Sequence, residues 1–196
     1  MSYLPWPLRE AWLSRCVARA QAGDREAFRR LYRALYGPVS SYVGRRVRRR
    51  EDAEDVVGQV FFRLLESLGR VDVRRGTVLA YVLSMARNAL ADEARRGHLA
   101  APEEVLAALP DPALSPLERL ESRQEAAAVR EELAALPAET RELLVLRYAD
   151  GLRYAEIAQM VGLSEAAVRQ RTSRAVRDIR ARWSARSAGG ALSNES

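Results

Sequence analysis

Guanidinium, carboxamide and hydroxyl side chains recur at helical spacing between Tyr154 and Arg177. At about 100° per residue from Val168, the apolar side chains fall on one side of a helix and four polar ones on the other. The four polar residues are Gln170, Ser173, Arg174 and Arg177. Guanidinium and carboxamide groups form paired hydrogen bonds with guanine and adenine edges in the major groove. The segment therefore predicts a surface that reads duplex DNA.

A helix, a turn and a second helix are needed to present this surface. Ile157, Ala158 and Val161 supply the apolar face of the first helix. Gly162 permits the turn, and Ser164 suits the N-cap of the second helix. An ordinary helical hairpin with a basic, solvated face is the alternative. We favour the DNA-reading interpretation because of the residue types, although the motif alone identifies a binding module and no more.

Composition limits the classes of protein to which the chain can belong. Its 196 residues are 48% hydrophobic, enough to bury a core in one domain or two small ones. No apolar run is long enough to span a bilayer, so we expect no membrane insertion. The amino terminus lacks the features of a secretory signal, and Cys16 is the sole cysteine. These features predict a cytoplasmic protein.

The charges fall into three blocks within a net charge of +6. Residues 1–96 hold 19 arginines against 11 acidic residues, and residues 143–196 hold 9 against 5. Between them, residues 97–142 hold 4 arginines against 10 acidic residues. This pattern favours two domains that contact a polyanion, joined by an acidic connector.

Helical periodicity runs through nearly the whole chain, and convincing period-2 alternation is missing. The sequence therefore predicts an all-α fold with two small helical domains. Residues 97–116 hold four prolines and several small residues, which is typical of an interdomain linker. The last residues are small and polar, which predicts a disordered tail.

The helix predicted over residues 52–68 has two contrasting faces. Its apolar stripe consists of Val57, Val60, Phe61, Leu64 and Leu68. The opposite face carries Asp55, Gln59, Phe62 and Glu66. An aromatic side chain flanked by carboxylates suggests a protein partner, since aromatic anchors in polar rims are typical of binding hot spots. The alternative is that Phe62 packs beneath the amino-terminal helices.

The helix predicted over residues 77–96 combines an apolar stripe with a polar outer face. The stripe consists of Val78, Val82, Met85, Ala86 and Ala89. Thr77, Ser84, Asn88 and Arg95 share the outer face, with Tyr81 and Arg87 at its margins. Such groups can stack on unpaired bases and hydrogen-bond to them. The alternatives are that Asn88 caps a local carbonyl and that Tyr81 belongs to the core.

Placed in order, these pieces resemble an RNA polymerase sigma factor of the extracytoplasmic-function group, which keeps only sigma regions two and four. The resemblance covers roughly residues 27–183. Residues 52–63 resemble the family's polymerase-binding helix, and residues 80–96 resemble its minus-ten segment. Residues 133–180 resemble region four. Three such segments in the correct order are far more specific than any one of them.

Composition and the resemblance together predict a division of the chain into five parts. Residues 1–26 form an amino-terminal extension without an assigned role. Residues 27–96 form region two, residues 97–118 the linker and residues 119–183 region four. Residues 184–196 form the disordered tail.

The resemblance also implies three sets of functional residues. Those that would dock on core RNA polymerase are Asp52, Asp55, Val56, Gln59 and Phe62. Those that would hold the melted strand at the minus-ten element are Tyr81, Arg87, Asn88, Arg95 and Arg96. Those that would contact the minus-35 element are Arg169, Gln170, Arg171, Ser173, Arg174 and Arg177. Arg171 and Arg177 are assigned to phosphates within that set.

A sigma factor acts by binding, so we expect no enzymatic activity, no cofactor and no metal site. His98 and Cys16 are single residues without a ligand motif around them. The implied partners are promoter DNA and core RNA polymerase, through its β′ clamp helices and β flap. An anti-sigma factor is a further potential partner. A free-standing helix-turn-helix repressor or activator is one alternative, and a helical adaptor or sigma antagonist is another.

Overall fold

The computed structural model describes residues 6–73, 76–94 and 131–192. Within these ranges the regular secondary structure is helical, without a strand. The chain divides into two compact units. Residues 6–73 and 76–94 belong to the first unit, and nearly all of residues 131–192 belong to the second. The predicted all-α, two-domain fold is thus confirmed, while the linker at 97–118 lies outside the described residues.

The described part of the first unit contains four α-helices: α1 (Trp6–Gln21), α2 (Arg25–Gly44), α3 (Arg50–Ser67) and α4 (Val78–Ala94). A 3₁₀ turn, Leu68–Arg70, follows α3. Asp24 starts α2 as its N-cap, because its side chain accepts a hydrogen bond from the Ala27 N–H at 3.0 Å.

The core of the first unit lies where the apolar stripes of these helices meet. On α3, the predicted stripe residues Val57, Val60, Phe61 and Leu64 are all buried, as is Leu68 in the following turn. The other helices contribute fully buried side chains at the three- and four-residue spacing of one helix face. These are Leu13 and Val17 of α1, Leu31, Leu35 and Val39 of α2, and Val82 and Ala86 of α4.

Helix α1 falls within the extension to which the sequence assigned no role, yet it is a structural part of the first unit. Glu10 Oε1 accepts a hydrogen bond from the Val78 N–H at 2.6 Å, at the start of α4. Gln21 Nε2 donates to the carbonyl oxygens of Leu68 and Val71, both at 2.9 Å. Helix α1 therefore fixes both ends of the connection between α3 and α4.

The described part of the second unit begins with helical residues 131–134. It continues through α5 (Ala138–Leu144), a π-helical turn (Val145–Ala149), α6 (Tyr154–Val161) and α7 (Glu165–Leu192). One apolar cluster of this unit joins residues from three helical segments. The cluster consists of Leu133, Leu144 and Ala175, with Leu136, Val176 and Ile179 packed against it.

The turn between α6 and α7 has the predicted geometry. Gly162 has a φ of +70°, a conformation that side chains with a Cβ rarely adopt. The Ser164 hydroxyl accepts a hydrogen bond from the Ala167 N–H at 3.1 Å, which caps α7. The sequence therefore located both the turn and the cap correctly.

Helix α7 continues to Leu192, whereas the sequence predicts a disordered tail from residue 184. Alanine and arginine are strong helix formers, and they dominate residues 180–188. Within this stretch, Arg182 forms an ion pair with the buried Glu132, which anchors α7 to the rest of the second unit.

Candidate DNA-binding and partner-binding surfaces

The first half of α7 presents the six predicted DNA-contacting residues to solvent. Arg169, Gln170, Arg171, Ser173, Arg174 and Arg177 are all exposed. Val168, Thr172 and Ala175 are buried on the other side of the helix. The Thr172 hydroxyl donates to the Val168 carbonyl at 2.7 Å, so this buried polar group is satisfied within the helix. The helix is thus amphipathic in the predicted phase.

The middle of this face differs from its edges in electrostatic pairing. At the edges, Arg169 donates to Glu165 at 2.7 Å, and Arg171 Nη1 lies 3.4 Å from Glu139 Oε2. The middle residues have no side-chain hydrogen bond or ion pair to any described residue. They are Gln170, Ser173, Arg174 and Arg177. Their donors and acceptors are therefore available to an external ligand.

Tyr154, the first residue of α6, lies beside two arginines that no spacing in the sequence connects to it. The guanidinium carbon of Arg147 is 4.8 Å from the centroid of the Tyr154 ring, and that of Arg169 is 5.1 Å away. Both distances are within the range of cation–π attraction. Arg147 also donates to the Leu152 carbonyl at 2.9 Å. Only the tertiary structure reveals this cluster, because its members come from three helical segments.

Helix α4 carries the residues predicted to bind single-stranded DNA, and its accessible surface is narrower than that of α7. Asn88 is exposed and makes no side-chain hydrogen bond to a described residue, so the local-cap alternative finds no support. Tyr81 and Arg87 are half-buried. Arg95 and Arg96 lie outside the described residues. The structure thus brings Tyr81, Arg87 and Asn88 together on one helix.

The start of α4 is fixed by two side chains that accept hydrogen bonds from its backbone. The Ala80 N–H donates to the Thr77 hydroxyl at 3.1 Å. The Val78 N–H donates to Glu10 Oε1. The Ser84 hydroxyl donates to the Ala80 carbonyl at 2.8 Å, so it points back along the helix. Met85, predicted as core, is half-buried instead.

The outer face of α3 is open where the sequence predicted a partner-binding surface. Phe62 is 61% exposed, and Asp55, Gln59 and Glu66 are exposed around it. Asp52 is half-buried. Val56 is fully buried, which contradicts its prediction as a contact residue. Its position on α3 points it into the apolar core, one turn from Val60.

The alternative that Phe62 packs beneath the amino-terminal helices is wrong. The neighbouring Phe61 takes that place, with its ring centroid 4.5 Å from that of Tyr32 and 6.2 Å from that of Tyr36. Leu65, which is 53% exposed, extends the apolar surface along α3. The exposure of two large apolar side chains on one helix is typical of a protein-binding surface.

Other kinds of site find little support within the described ranges. There, His, Cys, Asp and Glu side chains form no group of three or more that could hold a metal ion. Cys16 is buried, and burial raises the pKa of its thiol, so it is a poor nucleophile at neutral pH. None of the helices described combines the length and apolar character needed to cross a bilayer.

Two protein-family models match the chain in consecutive segments. Residues 31–98 match Sigma-70 region 2, and residues 126–179 match Sigma-70 region 4. Helices α2, α3 and α4 fall in or overlap the first match. Helices α5 and α6 and the first half of α7 fall in the second. Helix α1 precedes both matches.

Several curated proteins are similar along most of the chain. The ECF RNA polymerase sigma factor ShbA of Streptomyces griseus is 34% identical, over 84% of this chain and 92% of its own length. The ECF sigma factor BldN of Streptomyces coelicolor is 31% identical, over 83% of this chain. The probable sigma factor RfaY of Xanthomonas campestris is 31% identical, over 87% of this chain. The chain spans 62% of the length of BldN and 44% of that of RfaY.

A solved structure shares the fold. It shows CnrH in complex with the cytosolic domain of CnrY, and the likeness covers 87% of this chain and 96% of the solved chain. The sequence identity is 24% and the TM-score is 0.57. This likeness therefore concerns the arrangement of helices and not the residues of any site.

Proposed function

The chain belongs to the extracytoplasmic-function group of Sigma-70 factors, and we propose that it binds core RNA polymerase and directs transcription initiation at specific promoters. One observation carries this proposal. A single chain combines an exposed base-reading face on α7 with an exposed Phe62 surface on α3, in the order in which regions 2 and 4 match. A DNA-binding module alone does not require the second surface.

The α7 face would recognise the minus-35 element as duplex DNA. Arg169, Gln170, Ser173 and Arg174 would contact base edges, because carboxamide and guanidinium groups match the donors and acceptors of the major groove. Arg171 and Arg177 would hold phosphates at the sides of the groove. Gln170, Ser173, Arg174 and Arg177 support their part of this assignment, since none of these four must break an ion pair before DNA binds.

The α4 surface would hold the melted strand of the minus-ten element. Tyr81 offers a half-exposed ring for stacking, and Asn88 offers a free carboxamide for hydrogen bonding to a base. Arg87 adds positive charge beside them. Arg95 and Arg96 are assigned to the same strand by the family resemblance alone.

The outer face of α3 would dock on the β′ clamp helices of the polymerase. Phe62 is suited to be the anchor because aromatic side chains with a polar rim dominate binding energy at protein interfaces. Asp52, Asp55 and Gln59 would form part of that rim. Val56 would support the face from inside the core, because it is fully buried. Region 4 would meet the β flap.

The mechanism requires binding and no covalent step by this chain. The polymerase carries out nucleotide chemistry, while the chain selects the site and stabilises the opened DNA. We assign it to the cytoplasm, where core polymerase and promoter DNA are found. An anti-sigma partner remains an expectation from the family.

Reconstitution with core RNA polymerase tests the proposal directly. The full chain is added to core enzyme and a panel of candidate promoters, and run-off transcripts are measured. We expect transcripts of defined length from a subset of promoters only. Binding to DNA without binding to core polymerase, and without transcripts, would overturn the proposal and favour a free-standing repressor or activator.

A matched pair of variants tests the docking surface in the same assay. Phe62→Ala should weaken core affinity by about tenfold or more, because it removes an exposed aromatic anchor. Leu8→Ala is the control, since Leu8 is also a large exposed apolar residue, at 57%, but lies on α1, to which no polymerase contact is assigned. Affinity can be measured by titration of fluorescently labelled chain. An equal loss in both variants, or no loss in Phe62→Ala, would contradict the assignment of Phe62.

A further inference from the structure

We propose that Tyr154 is a positioning residue that orients Arg169 for base recognition. The inference rests on the proposed function, and specifically on contact between α7 and the minus-35 element. Tyr154 lies on α6 and Arg169 on the first turns of α7, so the contact crosses the helix-turn-helix. The contact therefore joins α6 to α7 through the exposed side chain of Arg169.

Arg169 is restrained from two directions. Its guanidinium donates to Glu165 at 2.7 Å, and its guanidinium carbon lies 5.1 Å from the centroid of the Tyr154 ring. An arginine side chain has many rotamers, and each contact reduces the number that it can adopt. Two contacts of different geometry confine the guanidinium more than an ion pair alone, because the ring adds a directional preference.

The Tyr154 ring is itself held in place. Arg147 of the π-helical turn lies 4.8 Å from the ring centroid, and the same guanidinium donates to the Leu152 carbonyl at 2.9 Å. Tyr154 is half-buried at the first residue of α6. These contacts restrain the ring, so that it can serve as a platform. Arg169 takes its orientation from that platform.

Arg174 provides an internal contrast on the same helix. It is exposed and has no ion pair or ring contact with a described residue. Arg174 must therefore lose its rotamer freedom when DNA binds, whereas Arg169 has lost much of it beforehand. Glu165 also neutralises part of the charge of Arg169, which lowers its attraction to phosphates and leaves directional hydrogen bonding as its main contribution.

The test uses holoenzyme reconstituted with the full chain and a promoter panel in which each minus-35 base pair is changed in turn. Arg169→Ala first identifies the base pair whose discrimination depends on Arg169. Tyr154→Leu and Tyr154→Met should then reduce discrimination at that same base pair by about two- to fivefold, the size expected from a lost exposed cation–π contact. Tyr154→Phe should retain discrimination, because it keeps the ring.

The double variant Tyr154→Leu/Arg169→Ala separates positioning from a general structural effect. We expect it to discriminate as Arg169→Ala alone does, since Tyr154 acts through Arg169. Thermal unfolding of every variant identifies any that fails to fold, and Tyr154→Met replaces Tyr154→Leu in that case. A uniform loss at all base pairs, or losses that add in the double variant, would overturn the positioning role.

Failure of this inference is distinguishable from failure of the proposed function. If Arg169→Ala leaves discrimination unchanged at every base pair while promoter-specific transcription persists, the inference is overturned and the sigma function stands. If the wild-type chain supports no promoter-specific transcription, the proposed function itself fails, and the inference fails with it.

Discussion

Helices α4 and α7 are both assigned to DNA, yet they are built in opposite ways. Most side chains of α4 are buried in the first unit. They include Val78, Leu79, Ala80, Val82, Leu83, Ala86, Ala89 and Leu90. Among the described side chains of α7, by contrast, three are buried, namely Val168, Thr172 and Ala175. Helix α4 is therefore a core helix with a small accessible edge, whereas α7 is a surface helix with a narrow buried stripe.

For the proposed DNA contacts, this difference implies two ways of holding DNA. A melted strand must be kept in a high-energy conformation, and a helix embedded in a core supplies a rigid support for it. Duplex DNA already has a regular groove, so α7 needs only an exposed face in the correct phase. It follows that substitutions on α4 should couple stability to function, while substitutions on the α7 face should affect DNA binding alone.

The largest effect is expected from Leu83→Ala in α4. Leu83 is 2% exposed, and its truncation should lower the free energy of unfolding by about 2–5 kcal/mol because it leaves a cavity in the core. Ser173→Ala on the exposed face of α7 is the comparison, with an expected change within about 0.5 kcal/mol. Urea titration of the full chain measures both. Similar values for the two variants would remove the distinction between the helices.

A smaller but more selective effect is expected from Arg174→Ala. It should reduce discrimination at one minus-35 base pair by about 1–3 kcal/mol if Arg174 makes a bidentate contact with a base. The free energy of unfolding should stay within about 0.5 kcal/mol of wild type. Arg177→Ala is the matched control, because a phosphate contact should weaken binding uniformly and reduce the salt slope by about 1. A uniform loss in Arg174→Ala would reassign Arg174 to a phosphate.

The smallest effect is expected on stability, from the helix N-caps. One unit uses a carboxylate as a cap and the other a hydroxyl. Asp24 caps α2 in the first unit, and the Ser164 hydroxyl caps α7 in the second. The hydrogen bond from the Ala27 N–H, helped by Arg19, lowers the pKa of Asp24 below its ordinary value of 3.8. A lowered pKa means that the ionised form stabilises the fold. This contribution is present above about pH 4 and is lost as the pH falls through the lower, folded-state pKa.

Asp24→Asn isolates this pH dependence, because asparagine keeps a capping oxygen without a titrating charge. We expect the difference in thermal midpoint between wild type and Asp24→Asn to shrink as the pH falls below about 4. Ser164→Asn should show a difference from wild type that does not depend on pH, since neither side chain titrates in that range. A constant difference for Asp24→Asn would show that the charge of Asp24 does not contribute.

The sequence predicted correctly those features that depend on residues close together in the chain. The apolar stripe of α3, the glycine turn at Gly162 and the Ser164 cap follow from helical spacing and turn preferences, and the structure confirms them. The exposure of Phe62 also followed from its phase relative to Val57 and Leu64, although the sequence left its packing partner open.

Features that depend on contacts between distant residues were not predictable in this way. Val56 was assigned to the docking face, but its burial depends on how α3 packs in the first unit. The Tyr154 cluster unites residues from a π-helical turn and two helices, and no spacing in the sequence connects them. For the same reason the extension at residues 1–26 had no assigned role, although Glu10 and Gln21 hydrogen-bond to backbone more than 45 residues away.

Helix α1 has a practical consequence for dividing this protein into parts. The match to region 2 begins at residue 31, so a fragment cut there would keep the residues assigned to polymerase and DNA and still lose Glu10 and Gln21. The Leu68 and Val71 carbonyls and the Val78 N–H would then lose these hydrogen-bond partners. A single cleavage at the exposed turn formed by Ala22 and Gly23 would separate α1 from the rest of the chain in the same way. Helix α1 is thus part of the folded unit, although it starts 25 residues before the segment that matches region 2.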